Sequence, residues 1–254
     1  MTKGLYLYCL AEGNEKINFG NIGVDENKVY TVSHQGLCAI VHDSPMAFYK
    51  SENDKIVTKW IIAHQKTIDA VWQRFGTILP LGFSTIIKGE EGIEAKENLK
   101  RWIHNDYENL KQKLTKVKGK AEYGIQIFWF TKLIGQQLIE NDPEINKLNE
   151  EIKSKSRGLA YMYKQKLEKL LRKKIEEKAT RCFKDFYDRT KKCVDEIKVE
   201  RTKKPERDKQ MLLNFSCLLS KENVGTLSKE LIKIDHLEEF SVRFTGPWPP
   251  YSFV

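Results

Sequence analysis

The chain has 254 residues, enough for one large domain or two small ones with a sizeable core. Hydrophobic residues make up 40% and charged residues 31%, which excludes broad disorder, and no apolar run approaches the roughly 20 residues of a membrane-spanning helix. The net charge of +9 is concentrated: residues 147–209 hold 22 Lys+Arg against 12 Asp+Glu, and the remainder 22 against 23. A concentrated patch has a field that a diluted charge lacks. The opening Met1-Thr2-Lys3-Gly4-Leu5-Tyr6 runs directly into a strand-like pattern without a signal-peptide layout, so a cytoplasmic location is expected. The five cysteines (Cys9, Cys38, Cys182, Cys193, Cys217) form no CxxC and read as reduced thiols packed like small apolar groups.

Gly4–Leu10 reads as a strand buried on both faces, and residues 12–28, polar and rich in Gly and Asn, as a loop. Val29–Val32 and Leu37–Val41 form a hairpin around Ser33-His34-Gln35-Gly36, with Gly36 free to take positive φ. Ser51 or Asn53 caps a helix through about Phe75, on which Ile56, Trp60, His64, Ile68, Val71 and Phe75 recur at helical spacing. Thr77–Ile86, with Pro80 in its middle, is a bulged or edge strand. A second helix covers about Glu90–Lys116. Residues 1–119 thus read as a small α/β domain of three or four strands and two helices.

Glu122–Phe130 is a strand with Tyr123, Ile125, Ile127 and Trp129 on one face. Residues 131–156 are mixed, with a short helix around Pro143–Ile152. A long helix from about Arg157 to Lys192 carries Leu159, Tyr163, Leu167, Leu170/Leu171, Ile175, Ala179, Cys182/Phe183 and Phe186 at steps of three and four. Val194–Val199 and Met211–Leu219 are strands, separated by a charged turn containing Pro205. Ser220 or Asn223 caps a helix through Ile234, and Glu239–Thr245 is the final strand. The β-α-β-β-α-β order over residues 120–245 predicts a ferredoxin-like α+β domain, a four-stranded sheet with helices on one face. Its other face would show Gln126, Phe128, Asn214, Ser216, Leu218, Ser241 and Arg243.

Residues 246–254 form a separate tail, Gly246-Pro247-Trp248-Pro249-Pro250-Tyr251-Ser252-Phe253-Val254. Three prolines in four positions exclude a helix and a central strand. A stiff extended segment bearing Trp248, Tyr251 and Phe253 is expected to dock, on the open face of the second sheet, on the first domain or on a partner. Trp248→Ala then costs about 3–5 kcal/mol if the indole is a core group, and almost nothing if it is free.

The tail resembles the gas vesicle protein F/L family, in which a tGPWPPYsF segment follows the last strand. Gly4-Leu5-Tyr6-Leu7-Tyr8, Gly36–Val41, His64 with Leu79-Pro80-Leu81-Gly82-Phe83, Glu122-Tyr123-Gly124 and Arg157-Gly158-Leu159-Ala160-Tyr161 agree in order, and the F type is taken as the nearer. Gly82 stands where an arginine is common, and Ser84 where glycine is common. The resemblance implies an accessory or minor structural protein that binds the small hydrophobic gas vesicle shell protein (GvpA-type) and other accessory proteins, and helps nucleate the shell. It also implies association with the vesicle on its gas-facing side, and brings no cofactor, membrane partner or catalytic activity.

The residues themselves offer no catalytic or metal set: His34, His42, His64, His104 and His236 include no i, i+3 or i, i+4 pair, and Gly20–Gly23 and Gly89–Gly92 are not phosphate loops. His64 reads as a satisfied, partly buried histidine. Lys164, Lys166, Lys169, Arg172, Lys173, Lys174 and Lys178 form a positive band open to an acidic protein partner. The alternative is a basic nucleic-acid-binding module on a ferredoxin-like sheet, although no strand carries the RNP aromatic motif and Phe128 and Phe130 stand alone.

Overall fold

The computed structural model describes residues 4–90, 92–204 and 208–254. The opening Met1–Lys3, Glu91 of the Gly89–Gly92 turn and Pro205 of the charged turn lie outside them. The fold is mixed α/β, with two sheets and, among the described residues, seven α-helices. The chain divides into two compact units, one of residues Met1–Glu122 and Pro247–Val254, the other of Tyr123–Gly246.

In the first unit the strands are β1 (Gly4–Glu12), β2 (Asn18–Gly20), β3 (Val29–His34), β4 (Leu37–Ser44), β5 (Ile78–Pro80) and β6 (Ile86–Ile87). Their order is β2-β3-β4-β1-β5, with β6 also on β1, and the pairings are antiparallel. Every residue of β1 from Gly4 to Ala11 is buried, as its unbroken apolar run requires. The β1–β4 register slips between Leu7 and Cys9. This bulge brings Tyr6, Tyr8, Cys9 and Ala11 into one core with Ile68 and Val71 of α1 (Asp54–Phe75). Asn53 caps α1, its Oδ1 accepting from Lys55 N at 3.0 Å. The β3–β4 turn uses Gln35 and Gly36 at φ 50° and 81°, the paired positive φ of a tight hairpin.

This unit is richer than three or four strands and two helices. Residues 12–28 hold β2 and a 3-10 turn at Val24–Glu26, and the Pro80 stretch splits into β5 and β6. The single helix expected over Glu90–Lys116 is two, α2 (Ala95–Asn105) and α3 (Tyr107–Val117). A tight turn between Glu90 and Ile93, with Gly92 at φ 79°, delays the start. Asp106, at φ −106° and ψ 14°, breaks the run while its carboxylate accepts from Asn109, the local competition that makes aspartate a poor helix interior.

The second unit holds β7 (Lys120–Trp129), α4 (Thr131–Asn141), α5 (Pro143–Lys153), α6 (Arg157–Lys191), β8 (Glu196–Val199), β9 (Gln210–Ser220), α7 (Val224–Asp235) and most of β10 (Phe240–Trp248), with sheet order β10-β7-β9-β8. Residues 131–156 are thus two helices rather than one. Asp142 separates them, accepting from Glu144 N and Ile145 N at the head of α5, with Pro143 in its first turn. Both pack along α6. The sheet meets α6 through edge-on aromatic pairs, Phe183 and Tyr187 on Phe215 and Phe186 on Phe240. Neither Ser220 nor Asn223 caps α7 with its side chain; a 3-10 turn over Lys221–Asn223 leads into it. Strand β10 runs on through Gly246, Pro247 and Trp248, which the prolines of the tail did not suggest. It lies at the sheet edge, where a residue without N–H is tolerated.

Candidate functional site

Two histidine relays occupy the heart of the first unit. Ser84 N donates to Tyr6 Oη (2.9 Å), Tyr6 Oη lies 2.9 Å from His64 Nδ1, and His64 Nε2 lies 3.2 Å from the carbonyl of Leu81. A carbonyl only accepts, so Nε2 carries the proton and the phenol donates to Nδ1. The second relay runs in parallel: Val24 N donates to Tyr8 Oη (2.8 Å), which meets His42 Nδ1 (2.8 Å), and His42 Nε2 meets Tyr49 Oη (3.1 Å). Tyr6 stacks on His42, and Tyr8 on His64. Burial holds both imidazoles down at about 4, so both are neutral at pH 7, and raises the Tyr6 and Tyr8 phenols well above their ordinary value. His64 is therefore satisfied and buried, in agreement with its reading from sequence.

The relay histidines and the Tyr6 and Tyr8 phenols are buried, and they lock β1, β4, α1 and the loop after β5 together. That loop includes Ser84 at φ 66°, a left-handed conformation that costs a serine roughly 1 kcal/mol. Its Oγ accepts from Tyr49 N (3.1 Å), a bond that glycine in the same place would not make. At Gly82 no atom lies within 4 Å of where a Cβ would stand, so a larger side chain there would meet open space. Tyr8→Phe is expected to destabilise by about 2–3 kcal/mol, because it strands Val24 N–H and His42 Nδ1 in a buried site. Urea unfolding at pH 7 measures this, and a loss well under 1 kcal/mol would show that the hydroxyl does not hold the relay.

Beyond the end of β10 the tail is clasped into the first unit. Tyr251 Oη donates to Gln65 Oε1 on α1 (2.9 Å) and its ring packs on the Tyr6–Tyr8 core. Ser252 donates twice to Glu122, N to Oε2 (2.7 Å) and Oγ to Oε1 (2.6 Å). Lys116 Nζ donates to the Phe253 carbonyl (3.3 Å) and lies over its ring. Pro249, Pro250 and Phe253 are buried, whereas Gly246, Pro247 and Trp248 are exposed, Trp248 by 46%. The physical reason for this docking is Glu122, a buried carboxylate that needs donors, which the tail's serine supplies. In the second unit Phe128 is buried beneath Lys209 (4.5 Å) and Arg243 (5.0 Å), so it offers no free ring face for stacking a base.

The basic band of α6 divides into two sets. Lys174 pairs with Asp142 (3.2 Å) and Glu144 (3.1 Å), Lys178 with Glu239 (3.3 Å), and Lys173 more distantly with Glu177 (3.9 Å). Lys164, Lys166, Lys169 and Arg172 are exposed and make no ion pair among the described residues. Sequence alone did not single out Tyr6, Tyr8, His42 and Tyr49 as one network, nor Glu122 as the tail's anchor. Two phenols in a strand buried on both faces were the available signal, since buried hydroxyls demand partners. Among the described residues no group of three His, Cys, Asp or Glu could hold a metal, and no helix is long and apolar enough to cross a membrane.

Comparison with known proteins places these features. Gas vesicle protein L1 of Halobacterium salinarum is 27% identical over 261 residues, spanning 100% of this chain and 91% of that protein. Gas vesicle protein F of Nostoc sp. is 22% identical over 257 residues, spanning 100% and 98%. Of these two relatives the L type is the more similar in sequence. The crystal structure of the gas vesicle protein GvpF from Anabaena sp. superposes with a TM-score of 0.79 at 20% identity, over 99% of this chain and 98% of that one. That of GvpF from Microcystis aeruginosa gives 0.68 at 21%, over 98% of each. The family model described as gas vesicle synthesis protein GvpL/GvpF matches residues 4–254. With sheet, helices and tail all inside that match, the chain belongs to the GvpL/GvpF family of gas vesicle synthesis proteins.

Proposed function

We propose that this chain is a non-enzymatic gas vesicle assembly protein, an accessory or minor structural component that binds the small hydrophobic shell protein, limits its aggregation and helps nucleate the growing shell. The observation that carries this reading is the family match over residues 4–254. The buried relays support it, since they spend His42 and His64 on holding the fold together. The second unit is read as a ferredoxin-like domain: its strands, numbered from β7, lie in the order 4-1-3-2, with helices inserted after the first and third. The half-exposed Trp248, held out on a docked proline frame, is the tail's candidate contact for a partner, and the vesicle's gas-facing side is the place the reading assigns to the protein.

The test is co-expression with the shell protein followed by affinity capture through a tag on either partner. Reciprocal capture, weakened by Trp248→Ala without loss of folding, is the expected result. Vesicle loss on deletion of the gene, with no capture in either direction, would leave the binding reading without support.

A further inference from the structure

The outward stripe of α6 combines two features that its inward stripe lacks. At its N-terminal end Leu159, Tyr161 and Met162 are 50%, 64% and 65% exposed. One to three turns further on come Lys166, Lys169 and Arg172, all exposed and unpaired among the described residues. The same helix pairs Lys174 and Lys178 with acidic residues of α5 and the β10 lead-in, so the contrast is between lysines neutralised within the unit and cations left for something else. At 100° per residue, Leu159, Tyr161, Met162, Lys166, Lys169 and Arg172 fall on one side of the helix, along about 20 Å of its axis.

We infer that this stripe is a docking surface for an acidic amphipathic helix of a protein partner, its apolar face seated on Leu159, Tyr161 and Met162 and its carboxylates meeting Lys166, Lys169 and Arg172. Charge complementarity selects an acidic occupant. The apolar end selects a folded peptide over a phosphate backbone, because exposed Tyr and Met add apolar contact that phosphates do not use. Glu168 and Glu176 are exposed among these cations, and they repel a uniformly anionic polymer or bilayer while a patterned protein helix can place its own charges around them. The inference rests on the reading of the chain as an assembly protein with protein partners, but not on the shell protein being this one.

The experiment uses the full chain and a dye-labelled synthetic helix of about five turns with leucines on one face and glutamates on the other, followed by fluorescence anisotropy. A counterpart with lysine for every glutamate, phosphatidylglycerol vesicles and single-stranded RNA are run beside it. The acidic helix is expected to bind, more weakly as salt rises, and the lysine counterpart not to bind. The triple change Lys166→Glu, Lys169→Glu and Arg172→Glu should lower its affinity about tenfold or more, and Tyr161→Ser with Met162→Ser should do so by a salt-independent factor. All five positions are solvent-exposed, and an unchanged unfolding midpoint confirms that the variants fold. Equal binding of the two peptides, indifference to the charge changes, or tighter binding to vesicles or RNA overturns the inference. The shell protein does not enter this assay, so its failure leaves shell capture untouched, and failed capture leaves this stripe untouched.

Discussion

Acidification from pH 7 to pH 4 is expected to lower the unfolding free energy of the first unit by roughly 6 kcal/mol, about 3 for each relay histidine. His42 and His64 titrate at about 4 in the folded protein because burial disfavours the imidazolium, and near 6.5 once unfolded. Below 6.5 the unfolded chain therefore takes up protons that the folded chain refuses. The stability these sites contribute is complete above pH 6.5 and is lost as pH falls toward 4, at about 1.4 kcal/mol per pH unit for each histidine. Geometry gives the same sign. Protonating His64 at Nδ1 turns an acceptor into a donor, facing a Tyr6 oxygen that already accepts from Ser84 N–H. Asp43 and Asp25 work in the opposite direction at His42, but as the lesser influence. Urea unfolding at half-unit steps from pH 7 to 4 measures the slope. His64→Gln should reduce it by one histidine's share, which separates the relays from the exposed carboxylates that also titrate toward the lower end. A stability flat between pH 6 and 4.5 would mean that the histidines are not held neutral.

Such a loss is comparable to the whole stability of a typical domain, so both relays are structural commitments rather than ornaments of the core. Their strands and helix were legible in the sequence: Gly4–Leu10 reads as a buried strand from its unbroken apolar run, and the helix through about Phe75 from its apolar spacing after a cap at Ser51 or Asn53. The relays were not, because Tyr6 and His64 lie 58 residues apart and Tyr8 and His42 lie 34 apart, and strand periodicity puts the two phenols on one face without saying which histidines they meet. The split between α2 and α3 was hidden for another reason: the apolar stripe continues across Asp106, and periodicity registers the stripe but not the local hydrogen bonding that interrupts it. For α6 the excess of lysine was countable in advance. Which lysines stay free was not, since Asp142, Glu144 and Glu239 reach it from other elements.

The tail holds the same lesson in one segment, and it separates two aromatic residues five positions apart. Phe253→Ala is expected to destabilise the protein by about 3 kcal/mol, near the low end for a buried phenylalanine because a chain end can fray rather than keep a cavity. Trp248→Ala is expected to cost at most half of that, since 46% of the indole already faces solvent. Of the two outcomes expected for Trp248 from sequence, exposure thus favours the one with little effect on stability, while the core role passes to Phe253, Pro249 and Pro250. Glu122 provides a second handle. Its carboxylate accepts both Ser252 bonds, so Ser252→Ala removes the hydroxyl donor and leaves the backbone bond, for a loss of about 1–2 kcal/mol. Thermal unfolding of the three variants should rank them Phe253→Ala, then Ser252→Ala and Trp248→Ala with smaller losses. If Trp248→Ala were the most damaging, the indole and not Phe253 would be the tail's anchor. If none had an effect, the clasp on Gln65, Glu122 and Lys116 would not persist in solution, and a stiff tail whose prolines leave little entropy to lose on docking would be free for a partner.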